Sequence, residues 1–329
     1  MNIRLSFYIL VFNSLTQLLG PASAFAQAPD WLNDFQKSNP ECVAQYLCIA
    51  GEGASLAQAI SSARVEVSKF FQTKIKSSSE MTTNSQQPGV GLDRASVNEW
   101  TSQTLSEEAE EIISGLEIKR QIELDDHAYV LMALDRSKTA LGFKEKIKAL
   151  DEQNAKSLEL NSRLTYPKIL KNIILIEAYL ERYTLLSNQS LLLKVKRENI
   201  QDKINGLKPL KFTIISPHKK LPLKFNHLIS EILSPLKIIF VARKNNPQYV
   251  LHSELATEEQ YFKVEGFKKL NIVLRLELLN TSSQVLGRLS AQSEQMARSN
   301  DQAIEKAIPE IKELLLENLD QLSTIKMND

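Results

Sequence analysis

The fold is decided by residues 45–71, whose sequence is QYLCIAGEGASLAQAISSARVEVSKFF. Residues 45–50 predict a strand, and the next five residues predict a tight turn. Ser55 and Gln58 have the spacing of a capping box, in which the hydroxyl accepts a bond from a helical N–H and the amide reaches back to the cap. Apolar residues then recur every three or four positions, as on one face of a helix, and they are Leu56, Ala59, Ile60, Ala63, Val67, Phe70 and Phe71. A strand followed by a helix over about residues 56–73 is therefore predicted.

The turn also resembles the opening of a dinucleotide-binding fingerprint, because Gly51 and Gly53 are two residues apart. Leu56 stands where the third glycine of that fingerprint is required. The chain has only 10 glycines and contains no GxxxxGK[ST] loop. We therefore interpret the glycines as a structural turn and predict no cofactor.

The rest of the first domain is predicted to complete an α+β unit over residues 29–137. A polar stretch, 76–87, is expected to be an extended edge segment that passes into a mobile loop, and a second helix is expected at 95–108. Two β-rich runs, 112–124 and 128–135, are separated by Asp125 and Asp126, a spacing typical of a hairpin.

The middle of the chain, residues 138–205, predicts an antiparallel helical hairpin or a short coiled coil. One apolar stripe contains Phe143, Ile147 and Leu150, and a second runs from Ile169 to Tyr183. Pro167 suits the first turn of a helix, where its missing N–H costs nothing. The break between the two helices is therefore placed just before it.

A second α/β domain is predicted over residues 206–329. Strands are expected at residues 210–215, 236–242, 248–255, 270–279 and 284–292, and helices at 223–233 and from residue 300 onward with a kink at Pro309. The last two strands alternate in polarity about residues 280–283, which indicates another hairpin. The expected fold class is α+β, with two small α/β sandwich-type domains separated by an α-helical hairpin.

The N-terminus predicts export, because residues 1–26 have the three parts of a cleavable signal peptide. Arg4 supplies the positive start, residues 5–19 form a short apolar core, and Ala24 and Ala26 supply the small residues before a cut after Ala26. A cut after Ala24 is the alternative. An uncleaved membrane anchor is the alternative, although the apolar run is shorter than the ~20 residues that a span needs. The first cysteine, Cys42, lies well beyond the cleavage region, so a non-lipidated periplasmic or secreted protein is expected.

The charge balance of the chain limits the classes of partner that are expected, and its cysteine content indicates a possible disulfide. The chain has 40 Lys and Arg against 39 Asp and Glu, so no nucleic-acid partner is expected, because such partners demand a strong basic excess. In an exported protein the two cysteines invite pairing. Cys42 and Cys48 are therefore a disulfide candidate, with two free buried thiols as the alternative.

The sequence predicts no enzyme and no metal site. Four histidines are present, His127, His218, His227 and His252, and none has the spacing of a zinc site. A hydrolase remains an alternative if one of them converges in a cleft with a serine and a carboxylate. A glycan- or lipid-binding module with peripheral membrane contact is another, if a basic segment lies beside an apolar groove; its lysines are Lys208, Lys211, Lys219, Lys220 and Lys224.

The first domain resembles the LPP-twenty lipoprotein family of bacterial outer-membrane and flagellar accessory proteins, and more distantly the N-terminal domain of flagellar assembly protein T. The matching residues are Pro29-Asp30-Trp31, Gly51-Glu52-Gly53, Ala59, Ala63, Gly115 and the run from Tyr129 to Arg136. The resemblance implies a non-enzymatic envelope protein and supplies no catalytic residues. The chain lacks the acylated cysteine of that family. The expected function is a structural or protein-interaction component of the cell envelope, with envelope proteins as partners and no oligomeric state assigned.

Overall fold

The computed structural model describes residues 29–33, 35–83, 112, 115–124, 126–216 and 221–322. The predicted signal peptide with its cut after Ala26, the predicted helix at 95–108, and His218, Lys219 and Lys220 lie outside these residues. Within them, no helix is long and apolar enough to cross a membrane.

The first part of the chain forms a three-stranded antiparallel sheet with the order β1-β3-β2. Its elements are α1 (Asp30–Asn33), α2 (Phe35–Ser38), α3 (Glu41–Ala44), β1 (Tyr46–Gly53), α4 (Leu56–Thr83), β2 (Glu117–Glu123) and β3 (Ala128–Asp135). The predicted hairpin joins β2 to β3, and the N–H of Leu124 donates to the carbonyl of His127 at its turn, at 2.7 Å. In the structure Cys42 and Cys48 form a disulfide that ties α3 to β1, with their Cα atoms 5.3 Å apart.

The predicted end of the long helix is wrong. An end at about residue 73 and an extended segment from residue 76 were expected, but α4 continues to Thr83. The residues from Leu56 to Thr83 include no glycine and no proline, and serine, threonine and lysine lower helix propensity by less than 1 kcal/mol each. A change to polar composition therefore did not mark a helix end.

Gly51 lets α4 lie directly on β1. A Cβ atom added at Gly51 would lie 2.1 Å from the carbonyl oxygen of Ala59, so only a glycine permits this approach. Ala59 and Ala63 pack from α4 onto Val130 and Met132 of β3. The cap was also predicted: the N–H of Gln58 donates to the Ser55 hydroxyl at 3.4 Å, although the Gln58 amide oxygen accepts from Ala54.

The middle of the chain forms the predicted antiparallel helical hairpin. Its helices are α5 (Arg136–Glu159) and α6 (Tyr166–Ser187), joined through a 3-10 turn at Arg163–Thr165 and followed by α7 (Arg197–Gly206). The antiparallel direction follows from two contacts: the Phe143 and Tyr179 rings lie 5.9 Å apart, and Asn172 Nδ2 donates to Asn154 Oδ1 at 2.8 Å. Helix α6 packs into both hydrophobic cores, with its first turns in the core of the second sheet and its last turns in that of the first. The division at residues 137 and 205 stays a prediction.

The last part of the chain forms a five-stranded mixed sheet with the order β5-β4-β6-β7-β8. Its elements are β4 (Leu210–Ile215), α8 (Leu223–Leu233), β5 (Ile238–Phe240), β6 (Tyr249–Gln260), β7 (Lys268–Asn280), β8 (Val285–Ala297) and α9 (Asn300–Asn318). Strand β4 is parallel to β5 and β6, and the other pairs are antiparallel. Helix α9 continues through Pro309. The fold class is thus α+β, as predicted.

The two faces of this sheet differ in polarity. The inner face packs alternate residues of β7, among them Leu270, Ile272 and Leu274, against α8 and α9. The outer face carries ion pairs between neighbouring strands, including Arg288 Nε with Glu277 Oε1 at 2.6 Å and Lys269 Nζ with Glu294 Oε2 at 2.8 Å. One buried and one solvated face is the usual arrangement of an antiparallel sheet.

Candidate functional site

The three described histidines lie at separate places in the fold. His127 is exposed at the β2–β3 turn, with Nδ1 3.2 Å from the carboxylate of Asp126. His227 lies on α8, and His252 lies on β6 with Nδ1 3.7 Å from Glu277 Oε2. The described residues also include no group of three His, Cys, Asp or Glu side chains that could hold a metal ion. These three histidines therefore belong to separate parts of the fold, and the expectation of a non-enzyme stays a prediction.

A cleft of about 470 Å³ lies where β4 and β5 end, beside α8. Ligands of open α/β sheets often bind at the carboxyl ends of parallel strands. The walls of this cleft are Ile214, Leu221 and Phe240, and its polar groups come from Ser216, Asn226 and Ser230. The Ser216 hydroxyl is already within 3.1 Å of the Ser253 hydroxyl.

A glycan- or lipid-binding site was predicted to have a basic segment beside an apolar groove. The described lysines of that segment do not line this cleft. Lys208, Lys211 and Lys224 are described, and none of them is a wall of the cleft. Lys224 instead forms an ion pair with Glu305 of α9. Lys224 therefore forms an ion pair on the protein's own surface, and Lys208 and Lys211 are exposed to solvent.

A buried guanidinium joins the helical hairpin to the second sheet. Arg163 is 1% exposed, and its Nη1 donates to the carbonyl oxygens of Lys208 at 2.9 Å and Leu236 at 3.1 Å. Burial lowers the pKa of Arg163 and raises the pKa of the neighbouring Tyr166 hydroxyl. Because the guanidinium is committed to main-chain oxygens, we assign it a structural role.

A group of exposed apolar side chains lies at one end of the five-stranded sheet. The register pairs Gln260 with Lys269 and Lys269 with Met296, so β6 ends, β7 begins and β8 ends at the same place. Four apolar side chains are exposed there, and we call them the apolar tip: Tyr261 at 86%, Val264 at 51%, Phe267 at 40% and Met296 at 50%. The N–H of Phe267 donates to the carbonyl of Val264 at 3.2 Å. The guanidinium of Arg298 lies 5.6 Å from the Phe267 ring.

Sequence reasoning missed the apolar tip. The predicted strands ended at residue 255 and began at residue 270, which left residues 256–269 as an unassigned connection. The available signal was the run Tyr261-Phe262-Lys263-Val264-Glu265-Gly266-Phe267, which places aromatic residues beside a glycine between two strands. Gly266 has φ +76, a backbone conformation that L side chains rarely adopt.

Comparison with known proteins gives no family. No family model and no curated protein matches the chain. Among solved structures, a minor lipoprotein of Acinetobacter baumannii is 13% identical, with a TM-score of 0.25, over 35% of this chain and 92% of its own. A secreted protein of Helicobacter pylori is 15% identical, with a TM-score of 0.30, over 84% of this chain and 98% of its own. TM-scores this low support no conclusion about the fold or role of this chain, and the LPP-twenty resemblance stays a prediction from sequence.

Proposed function

We propose that the protein is a non-enzymatic interaction component of the bacterial cell envelope, and that the apolar tip binds a partner protein. The observation that carries the proposal is the exposure of Tyr261, Val264, Phe267 and Met296 together at the end of one sheet. Groups of exposed apolar side chains in soluble proteins can mark interaction sites.

The residue types of the apolar tip fit a protein interface. Tyrosine, phenylalanine and methionine are enriched at the centres of such interfaces, where aromatic side chains supply large contact areas. The segment that carries Tyr261 and Phe267 joins two long strands, 12 and 13 residues in length. A partner can therefore bind a surface whose supporting main chain is already ordered, which lowers the entropic cost of binding.

Two features support an exported location. Residues 1–26 have the pattern of a signal peptide, and Cys42 and Cys48 are joined in a disulfide. Disulfides persist in oxidising compartments such as the periplasm and the extracellular space. A role in outer-membrane or flagellar assembly rests on the LPP-twenty resemblance of the first domain alone.

Co-purification from the envelope of the source bacterium tests the proposal. The tagged wild-type chain is compared with a Tyr261→Ser/Phe267→Ser variant and with a Leu160→Ser/Leu223→Ser control. Leu160 and Leu223 are also exposed but belong to other elements, at the end of α5 and the start of α8, so the control removes similar apolar surface. We expect an envelope protein to be retained by the wild type and the control and lost from the tip variant. Equal recovery with all three chains, or no envelope protein with any, contradicts the proposal.

A second candidate function is binding of a glycan or lipid in the cleft at the end of β4. The combination of apolar walls with the side chains of Ser216, Asn226 and Ser230 favours it. Substitution of Ser230 by Phe fills the cleft without touching the apolar tip. Loss of a co-purifying lipid or glycan from Ser230→Phe, with protein partners retained, would favour this alternative.

A further inference from the structure

The outer edge of β8 has main-chain groups available for another strand. Strand β8 is the last strand of the five-stranded sheet and is 13 residues long. Along a strand of an antiparallel pair, the main-chain N–H and carbonyl groups of successive residues point alternately toward the partner strand and away from it. The N–H of Asn280 donates to the carbonyl of Gln284 at the β7–β8 turn, so the main-chain groups of Asn280 point toward β8. Every second residue of β7 shares this direction, so the N–H and carbonyl groups of Leu276 and Leu274 also point toward β8. Their partners in register, Leu289 and Ala291, face β7.

The residues between these positions therefore direct their N–H and carbonyl groups away from the sheet. They are Arg288, Ser290, Gln292, Glu294 and Met296. An independent contact agrees with this assignment, because Lys306 Nζ of α9 donates to the carbonyl of Met296 at 3.1 Å. In the described part of the chain, no strand other than β7 pairs with β8, so the outer side of the main chain from Arg288 to Glu294 has no partner strand there.

We infer that this edge pairs with the same edge of a second copy of the chain, antiparallel, about a two-fold axis at Ala291. The inference goes beyond the proposed function and does not depend on it. An axis at Ala291 places Ser290 of one copy opposite Gln292 of the other. It forms four hydrogen-bonded residue pairs, each with two main-chain bonds, so about eight hydrogen bonds in all. An isologous interface of this kind closes on itself and leaves neither edge exposed.

The charges on the outer face specify this register. With the axis at Ala291, Arg288 of each copy lies directly opposite Glu294 of the other. With the axis at Ser290 or Gln292, Arg288 would instead lie opposite Gln292 or Met296. Opposite charges in directly opposed positions stabilise a strand pair, and like charges destabilise it.

The dimer would also extend the existing ion pairs into one row. Within one copy, Arg288 Nε lies 2.6 Å from Glu277 Oε1, and Lys269 Nζ lies 2.8 Å from Glu294 Oε2. Across the axis the row reads Glu277, Arg288, then Glu294 and Lys269 of the second copy, so the signs alternate. Each central charge thus gains a second neighbour of opposite sign.

Sedimentation equilibrium of the mature protein tests the inference. We expect the wild type to be a concentration-dependent dimer. Arg288→Glu and Glu294→Arg should each weaken dimerisation by about tenfold, because symmetry places each substitution in two cross-strand pairs. The double variant Arg288→Glu/Glu294→Arg should recover dimerisation. Arg275→Glu is the matched control, since Arg275 lies on the same face one strand inward, and it should dimerise like the wild type.

A proline at position 292 tests the main-chain bonds directly. The N–H of Gln292 faces outward, so Gln292→Pro removes a donor from the dimer and none from the β7–β8 ladder. Its circular dichroism should match the wild type while the dimer is lost. A wild type that stays monomeric at high concentration, or a dimer that the two charge reversals and Gln292→Pro leave intact, would overturn the inference.

Discussion

Two inner strands of this protein, β3 of the first sheet and β7 of the second, differ in how many of their faces are covered. In the three-stranded sheet, all residues of the central strand β3 except Asp135 are buried, so both faces of β3 are covered, whereas the edge strand β2 is largely exposed. In the five-stranded sheet, β7 alternates between the core, as at Leu274, and the polar outer face, as at Arg275. The second sheet therefore keeps a solvated face, a free edge and the apolar tip. The candidate interaction surfaces that we propose therefore lie on the second sheet.

Substitutions of neighbouring residues in β3 and in β7 test this difference, and they have the largest expected effects on stability. In β3, Leu131→Ala should cost about 3 kcal/mol and Val130→Ala about 2 kcal/mol of the free energy of unfolding, because both side chains are fully buried on opposite faces. In β7, Leu274→Ala should cost about 3 kcal/mol, whereas Arg275→Ala should cost less than about 0.5 kcal/mol. Urea denaturation measures all four. A small effect of Leu131→Ala would show that one face of β3 is open.

A glycine pair tests how tightly the first sheet contacts its helix. Gly51→Ala should destabilise the protein by about 3 kcal/mol, because the added Cβ would lie 2.1 Å from the Ala59 carbonyl oxygen. Gly142→Ala in α5 is the matched control, since nothing lies within 4 Å of its added Cβ, and it should stabilise the helix by about 0.5–1 kcal/mol. Thermal unfolding followed by circular dichroism measures both. Equal melting temperatures would contradict the close approach of α4 and β1.

The disulfide should stabilise the first sheet by a smaller amount. The loop that Cys42 and Cys48 close is short, with a sequence separation of 6, so the chain-entropy model predicts about 2 kcal/mol. The variant Cys42→Ser/Cys48→Ser should show this loss, and hydrogen exchange should quicken in β1 but not in β7. A reducing agent should lower the stability of the wild type and leave the variant unchanged. Quickened exchange throughout the second sheet would show that the disulfide supports both parts.

The ion pairs of the outer face should give the smallest effect. The hydrogen bond from Lys269 is the main cause that lowers the pKa of Glu294 below its ordinary value of 4.5. A lowered folded pKa means that the pair contributes to stability above the unfolded pKa, and that this contribution is lost as the pH falls through the folded pKa. Carbon NMR titration of the Glu294 carboxylate should show a higher pKa in Lys269→Met. An unchanged pKa of Glu294 in Lys269→Met would contradict this assignment.

The parts of the fold that local chemistry determines were predictable from the sequence. The cap at Ser55, the turn before Ala128 and the alternation along β7 are short-range signals, and the structure confirms each of them. The end of α4 was not predictable, because polar residues alone do not stop a helix. The apolar tip was missed for another reason: exposure of Tyr261 depends on how far β6 and β7 extend, and strand ends depend on the pairing of distant residues. The free edge of β8 depends on the strand order, which no local pattern contains.

Photo-crosslinking in intact cells tests the central claim, that the second sheet presents the apolar tip to a partner protein, most directly. A photoreactive phenylalanine analogue replaces Tyr261 in one strain and Leu160 in the other, and adducts are identified by mass spectrometry after irradiation. We predict an adduct with an envelope protein from position 261 that is absent from position 160. The same adducts from both positions, or none from position 261, would contradict the account.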